Sequence, residues 1–525
     1  MKYLGLLIII GLVPVLVAMI SSGAAGRRAV AFLFGAIPLF LHAAHITVAP
    51  VSWPYWPGYV KGIEFSLVDS FAVAVLLTIG GTRGSANYLV PFVLLIVLAV
   101  ASSFGTIAPT AALFVAWQTL KTGLIYIAAT RLAATPDGIR ALIGGMVVGL
   151  GCNALWATVQ HVQGVYQAPG LFDHQNSLGM VAHFVALPAA ALFVADGRAR
   201  WALLGVAAAG MTAIFGASRA TIGLEAAGLA MLIVTIAVFW PTPRGFALLA
   251  AGAVAFVAVS PLAYKALAPR WASVQNMDYD ERAAFNRAAS TMLHDHPFGV
   301  GANHYVIVAN TQGYSNRGAV TWATGSRSAH VHNAYLLTAA EMGYLALVPF
   351  VWLSVLTALG GIVWCFRSTD KRLSIMLLGT CAAQLVVAVH NWFEWVFVTY
   401  AIQVMFCLNL GIMSGLIGQI RTRRAEARRT AGAGPENLAR LPESLSPALA
   451  AGLGCRVTTA WHALTGRAAL QAGEWLAVHG TGGGGLLLFL LGRAPGARGG
   501  GGGVVPERPA PSPSLGGRPA LDARG

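Results

Sequence analysis

The sequence predicts an all-α polytopic membrane protein of about 12–13 transmembrane helices, with one large loop on the outer side. Three observations predict it. Hydrophobic residues make up 57% of the chain and charged residues 10%, at a mean hydropathy of +0.68, where a soluble chain carries about 25% charged residues. Apolar runs of about 20 residues, each long enough to cross ~30 Å of hydrocarbon as a helix, recur from Tyr3 to Ile420. Cations fall in alternate connectors between those runs.

The runs occupy residues 3–21, 29–49, 66–80, 88–106, 112–131, 141–160, 177–195, 201–216, 220–240, 246–264, 334–364, 374–391 and 398–420, which makes thirteen. The first has too few cations before it and no small-residue cleavage site after it, so it reads as an anchor helix and not as a signal peptide. A frayed or re-entrant course for it leaves twelve. Residues 1–264 then hold the N-terminal transmembrane helices, 265–333 an extramembrane loop, 334–420 the C-terminal transmembrane helices, and 421–525 a cytoplasmic tail.

The formal charge of +15 invites a nucleic-acid reading, but thirteen arginines against six acids beyond residue 420 account for seven of those charges. The remainder follows membrane topology, in which Lys and Arg collect in cytoplasmic connectors. Arg27 and Arg28, Arg83, Arg131 and Arg140, Arg198 and Arg200, Arg244, then Arg367, Lys371 and Arg372 occupy one alternate set. The other set is almost free of cations: 50–65 has Lys61 alone, 107–111 and 161–176 have none, and the turn at 217–219 has Arg219. These connectors face outward, together with 265–333. No nucleic-acid partner is expected; membrane lipids are.

The loop 265–333 is amphipathic, and its size makes it a candidate functional element. From Asp280 to His294 it spaces Ala284, Ala288 and Met292 among polar neighbours that include Arg282 and Arg287, which predicts a short helix ended by Pro297-Phe298-Gly299-Val300-Gly301. After Arg421-Thr422-Arg423-Arg424 the composition turns to Ala, Gly and Pro, and the last 30 residues predict disorder. Residues 435–485 resemble a fragment of a zinc-type alcohol dehydrogenase, through Leu453 to Leu464, Gly473 to Gly480 and the glycine turn Gly480-Thr481-Gly482-Gly483-Gly484-Gly485. A nucleotide-binding turn needs a strand before it, a helix after it and an acid about 20 residues on. With no acid in range and no catalytic half, the segment reads as a remnant of a fusion, frameshift or assembly.

Ionisable residues at membrane helices mark functional sites. On the outward side these are His174, Arg219, Arg282, His330 and His332, from four separate stretches. Each also has a structural reading. Arg219 can snorkel from a helix end, Arg282 can be a solvated cation, His332 can bond at the start of the helix from Ala334, and His174 with Asn176 can cap the helix near Ser177. Asn333 is itself a good N-cap. Lys121, Glu225 and Glu341 are the acids and cations deepest within the apolar runs. His294-Asp295-His296 with His330 and His332 can be drawn as a metal site, but nothing in the sequence fixes the distance between the pairs, and no metal or other cofactor is expected. Cys152, Cys365, Cys381 and Cys407 lack metal spacing and read as buried hydrophobes. Two arginines and a histidine suffice in principle for metal-free glycosyl transfer from a lipid diphosphate, the arginines holding phosphate oxygens and the histidine accepting a hydroxyl proton.

His332-Asn333 followed after nine residues by Gly343, with Glu341 and Met342 just before it, resembles the signature of the O-antigen ligase and polysaccharide polymerase family. Arg282-Ala283-Ala284-Phe285 leading into His294-Asp295-His296-Pro297-Phe298-Gly299-Val300-Gly301 is similar to that family's arginine helix and its HPxxGxG stretch, and Ser218-Arg219 to its Ser-Arg turn. Phe172 to Asn176 resembles its earlier outward loop, with Asp173 and His174 departing from the usual small or Pro residues, and Phe285 standing where Trp is common. The resemblance covers about residues 60–420. It implies a helical membrane fold of the GT-C type, an undecaprenyl-diphosphate-linked glycan donor, a metal-independent reaction and a periplasmic site in the bacterial inner membrane. By carry-over, Arg219 and Arg282 bind the diphosphate and His332 activates the acceptor hydroxyl. His330, His174, Asn333 and Glu341 are secondary candidates, with His330 as the neighbouring control. The acceptor is a lipid A core for a ligase, or a growing O-antigen or exopolysaccharide chain for a polymerase; a lipid-linked glycan transporter is the reading from another class.

Overall fold

The computed structural model describes residues 2–43, 47–81, 85–275, 280–431, 459–479, 491 and 498–502. Arg83 and the glycine turn 480–485 lie outside them. The chain divides into two units, Met1–Ala427 and Arg428–Gly525.

The first unit is a multi-pass membrane protein built of helices. In order these are α1 (Lys2–Ser21), α2 (Ala24–Ala36), α3 (Leu67–Thr78), α4 (Leu89–Ala101), α5 (Pro109–Leu132), α6 (Pro136–Val162), α7 (Gln175–Ala195), α8 (Leu203–Gly216), α9 (Arg219–Phe239) and α10 (Pro243–Gln275). There follow α11 (Glu281–Asp295), the short α12 (Tyr305–Thr311), α13 (Tyr314–Arg317) and α14 (Thr324–Ser328), then α15 (Ala334–Met342), α16 (Leu347–Val351), α17 (Thr357–Arg367), α18 (Lys371–His390) and α19 (Tyr400–Ala431). Among the described residues eight helical segments are long and apolar enough to cross a membrane, and four shorter apolar helices accompany them. The thirteen expected crossings are therefore not all full-length spans.

Three boundaries depart from expectation for identifiable reasons. The run 29–49 is not one helix: α2 gives way to a tight turn at Ile37–Phe40, and Thr47–Ser52 is a strand, β1, paired antiparallel with β2, Gly62–Ser66. β-Branched Thr47, Val48 and Val51 favour that strand, and the pairing register shifts between Val48 and Val51, where Pro50 has no N–H to give. A short two-stranded hairpin thus joins a membrane unit that is otherwise helical among the described residues. The run 334–364 breaks at Gly343 (φ 82°), between α15 and the span Tyr344–Arg367. Helix α10 passes the expected end at 264 and reaches Gln275.

Helices α7 and α18 form the centre and are buried along nearly their whole length. Small residues allow the close approach that membrane helices use in place of a hydrophobic drive. A Cβ on Gly379 of α18 would lie 2.9 Å from Leu187 O on α7, and one on Gly145 of α6 would lie 1.8 Å from Phe32 O on α2.

The two ends of the bundle differ in charge. At one, Arg28 and Arg140 reach Asp137 at 3.5 and 3.2 Å, Arg140 reaches Asp196 at 2.6 Å, and Arg423 pairs with Asp370. Asp196 follows the end of α7 and Asp370 precedes α18. The opposite end collects the β-hairpin, the turn before α5, the start of α7, the start of α9 and the loop carrying α11 to α14. A 21-residue helix such as α7 separates the two ends by about 30 Å.

In the second unit, Trp475–His479 forms β3, paired in parallel with β4, Arg498–Gly502. This corrects the expectation of disorder at 498–502. It also supplies the strand that the glycine turn requires before it, because the short continuous apolar run Trp475-Leu476-Ala477-Val478 suits a strand and glycines opposite it allow close backbone approach.

Candidate functional site

At the less cationic end, Arg282 and His332 meet on one carboxylate, Glu394. Arg282 Nη2 donates to Glu394 Oε1 at 2.8 Å, and His332 Nδ1 lies 3.2 Å from Glu394 Oε2. Asn176 Nδ2 also donates to Oε1, at 2.6 Å. The Glu394 side chain is 2% exposed, whereas those of His332 and Arg282 are 23% and 48% exposed. A buried acid thus orients two groups that face solvent.

Each partner is placed by local sequence. Asp280 caps α11, its Oδ1 accepting from Ala283 N at 3.1 Å, which sets Arg282 in the first turn. Ala284, Phe285, Ala288, Ala289 and Met292 bury the other face of α11, and Phe285 packs its ring 5.7 Å from that of His332. Asn333 caps α15 through Leu336 N at 3.0 Å, fixing His332 one residue ahead of the cap. The Ala334 N–H donates to both Asn391 O and Glu394 O, at 2.8 and 3.1 Å, which ties α15 to the turn bearing Glu394.

The glycine stretches hold this arrangement from behind. Val300 N donates to Ala340 O at 3.0 Å, Gly301 N to Glu341 O at 2.8 Å and Tyr344 N to Pro297 O at 3.1 Å. Gly299 and Gly343 both adopt positive φ, and a Cβ on Gly343 would stand 2.6 Å from the Phe298 carbonyl carbon. Glu341 is fully buried there. Its carboxyl accepts from Tyr59 OH, Asn303 N and Tyr305 N at 2.8, 2.8 and 3.0 Å. Burial pushes this carboxyl up to about 7, against the opposing pull of those donors. Glu341 is therefore a stitch between α15, the 297–305 turn and the β-hairpin, not a residue of a path through the bundle.

The remaining candidates fall elsewhere. Arg219 opens α9 after its cap Ser218, exposed and without a partner among the described residues, so it does not join the Glu394 cluster. His174 caps α7, with Nδ1 accepting from Asn176 N at 3.2 Å, and it is Asn176 that reaches the cluster. His330 is buried in an aromatic box, 4.6, 5.6 and 6.2 Å from the rings of Trp395, Tyr59 and Tyr305. Burial, then the charge of His332, lowers it to about 3, so it is neutral. It is not the mild control that its neighbouring position suggests, because truncating it empties the box. The four-histidine set does not assemble: His294 is exposed beside Asp295, and His296 packs on Tyr314. Among the described residues no group of three metal-ligating side chains comes together.

Three residues of this region escaped the sequence reading. Glu394 sits in the connector Asn391 to Phe397, whose signal is a lone acid among aromatics on the side poor in cations. His183 and His390 lie inside the bundle, each hidden in an apolar run. His183 Nδ1 bonds the Glu225 carboxyl and its Nε2 lies 3.1 Å from His390 Nδ1. A second buried pair, Lys121 with Asp69 at 3.0 Å, is completed by Tyr400 OH and by the Ser66 N–H.

No protein-family model and no curated protein matches this chain.

Proposed function

We propose that the chain is a glycosyltransferase of the O-antigen ligase type, with a GT-C-like membrane fold. It moves a glycan from undecaprenyl diphosphate to an acceptor hydroxyl of the lipid A core. The site faces the periplasm from the bacterial inner membrane, a reading supported by the collection of cations at the opposite end of the bundle.

The observation that carries this reading is the Arg282–Glu394–His332 cluster. A carboxylate facing His332 Nδ1 keeps the proton on that nitrogen and leaves Nε2 as a lone pair. That lone pair accepts the acceptor hydroxyl's proton as its oxygen attacks the anomeric carbon. The bond from that carbon to the diphosphate breaks, with its electron pair passing to the departing lipid diphosphate. Arg282 and the unpartnered Arg219 are the guanidinium groups available to neutralise that anion. Every step is met by side chains, with no metal required.

Purified protein given undecaprenyl-diphosphate glycan and lipid A core in EDTA should transfer glycan, and His332→Ala, Arg282→Ala and Arg219→Ala should each abolish transfer. Lengthening of donor chains without acceptor modification makes the enzyme a polymerase for O-antigen or exopolysaccharide on the same donor. The pairs Lys121–Asp69 and His183–Glu225 within the bundle favour a second reading, a lipid-linked glycan transporter, since such pairs mark transport paths. Donor consumption without a membrane gradient overturns transport; absence of consumption under any condition overturns the enzyme.

A further inference from the structure

Helices α7, α9 and α18 meet around a row of three ionisable side chains. His183 and His390 are fully buried and Glu225 is 4% exposed. Glycines make the approach possible: a Cβ on Gly179 would lie 2.0 Å from Thr221 Oγ1, and one on Gly228 would lie 2.6 Å from Val386 Cγ2. The bonding order fixes the tautomers. With Glu225 ionised, His183 donates from Nδ1 to the carboxylate, so His183 Nε2 is an acceptor, and His390 must donate to it from Nδ1. His390 Nε2 is then a lone pair, and among the described residues it has no partner, like Glu225 Oε1. An uncompensated carboxylate in this setting is costly, and the row has two places where a proton can neutralise it, Glu225 Oε1 and His390 Nε2.

We propose that Glu225, His183 and His390 form a proton-binding site whose occupancy sets the charge behind the diphosphate subsite. This rests on the glycosyl-transfer reading. Uptake of one proton at either place turns a row of net charge −1 into a neutral one. The row is next to the cluster: His390 ends α18 four residues before Glu394, Arg282 lies within electrostatic reach of it, and Asn176, which bonds Glu394, stands two turns before His183 on the same face of α7. Arg219 opens α9 six residues before Glu225, towards the site end. The charged and titratable groups around His390 are thus His183 from α7, Glu225 from α9, Arg282 from α11, His332, Glu394 and, from α15, Tyr335, whose hydroxyl donates to Ala388 O at 2.8 Å. From the sides of α17 and α19, Cys365 O, Asn409 and Met413 meet α18 at Ser374, Thr380, Cys381 and Gln384, six residues or more before His390. The three members of the row are positioning residues: a neutral row removes one negative charge that opposes the anionic donor, so protonation lowers the donor KM while His332 continues to govern kcat.

The test measures kcat and donor KM from about pH 5.5 to about pH 8.5, a range that brackets the ordinary histidine value of about 6.5, for the wild type, Glu225→Gln and His390→Gln. In parallel, 15N-histidine NMR of the same proteins in detergent follows the ring nitrogens, whose shifts titrate with a proton taken up at either place. The amide introduced by Glu225→Gln still offers an oxygen to His183, so the packing is retained while the charge is removed. The expected result is a donor KM that falls about tenfold with falling pH in the wild type and is flat in both variants, with kcat profiles unchanged, and a histidine titration seen in the wild type and lost in Glu225→Gln. A KM profile of the variants that tracks the wild type, with transfer intact, overturns the proposal and leaves the enzyme reading standing. A titrating row in a protein that consumes no donor keeps the proton site and removes the enzyme. A wild type with no histidine titration attributable to the row overturns the proposal whatever the activity.

Discussion

Glu394 gathers the donors of Arg282, His332 and Asn176 on one buried carboxylate, so its charge does two things: it offsets the guanidinium and it fixes the tautomer of the imidazole. Glu394→Gln keeps the shape, removes the charge and lets the amide present an N–H to His332. The expected loss in kcat is about 10²- to 10⁴-fold, the range that general-base contributions span, with the KM for donor falling because Arg282 loses the charge that offsets it; steady-state transfer assays check it. Glu341 makes a different prediction. Its folded value of about 7 lies above the ordinary 4.5, so the folded state holds more protons than the unfolded state between those values. The stabilisation from its protonated form is complete below about pH 4.5 and is lost as the pH rises through about 7. Thermal unfolding in detergent should show Tm falling over that window, and Glu341→Gln should flatten the dependence. Arg282 and His332 were legible in the sequence because each stands in a short polar stretch with a spacing of its own. Glu394 was not, because a single acid between aromatics carries no spacing signal, and its importance comes from contacts with residues 62, 112 and 218 positions away in the chain.

Helix α15 and the 297–305 turn are joined through three glycines at positive φ, Gly299, Gly301 and Gly343, and this joint aims His332. At Gly343 any side chain must adopt a left-handed backbone and also enter the space held by Phe298. Gly343→Ala therefore should cost about 1–3 kcal/mol and reduce transfer, since the start of α15 shifts with its end. Gly360→Ala is the matched comparison: that glycine lies in α17 with nothing within 4 Å of an added Cβ, so the same change should be neutral or slightly stabilising. Tm measured for both variants decides it. The sequence showed that α11 would form and end at Pro297, because periodicity and helix breakers are local signals. It did not show the hairpin at 47–66: an apolar run containing Val48, Val51 and prolines has the same hydropathy in a strand as in a membrane helix, and only the pairing of Thr47 with Ser66 and Val48 with Phe65 distinguishes them. The break at Gly343 was hidden in the same way, inside a run whose hydropathy continues across it.

Across the whole membrane unit, one physical asymmetry organises the rest. Arg28, Arg140 and Arg423 are paired with acids at one end, and Arg282, His332 and Glu394 lie at the other, with the length of α7 between them. Alternating cations along the chain made that segregation legible before any coordinates, although the number of full spans was not, since hydropathy alone does not separate a short apolar helix beside the bundle from one that crosses. The asymmetry implies an orientation, and the orientation can be measured. With the five native cysteines replaced by Ala, Thr324→Cys on exposed α14 reports the site end and Thr369→Cys, exposed between α17 and α18, reports the cationic end. A maleimide small enough to pass the outer membrane but unable to cross the inner one should label Thr324→Cys in intact cells and reach Thr369→Cys only after the inner membrane is opened. The reverse pattern would place His332 among cytoplasmic acceptors and remove lipid A core on the periplasmic face as its substrate. Labelling of both without opening the cells would mean that the segregated charges do not mark two sides of a membrane.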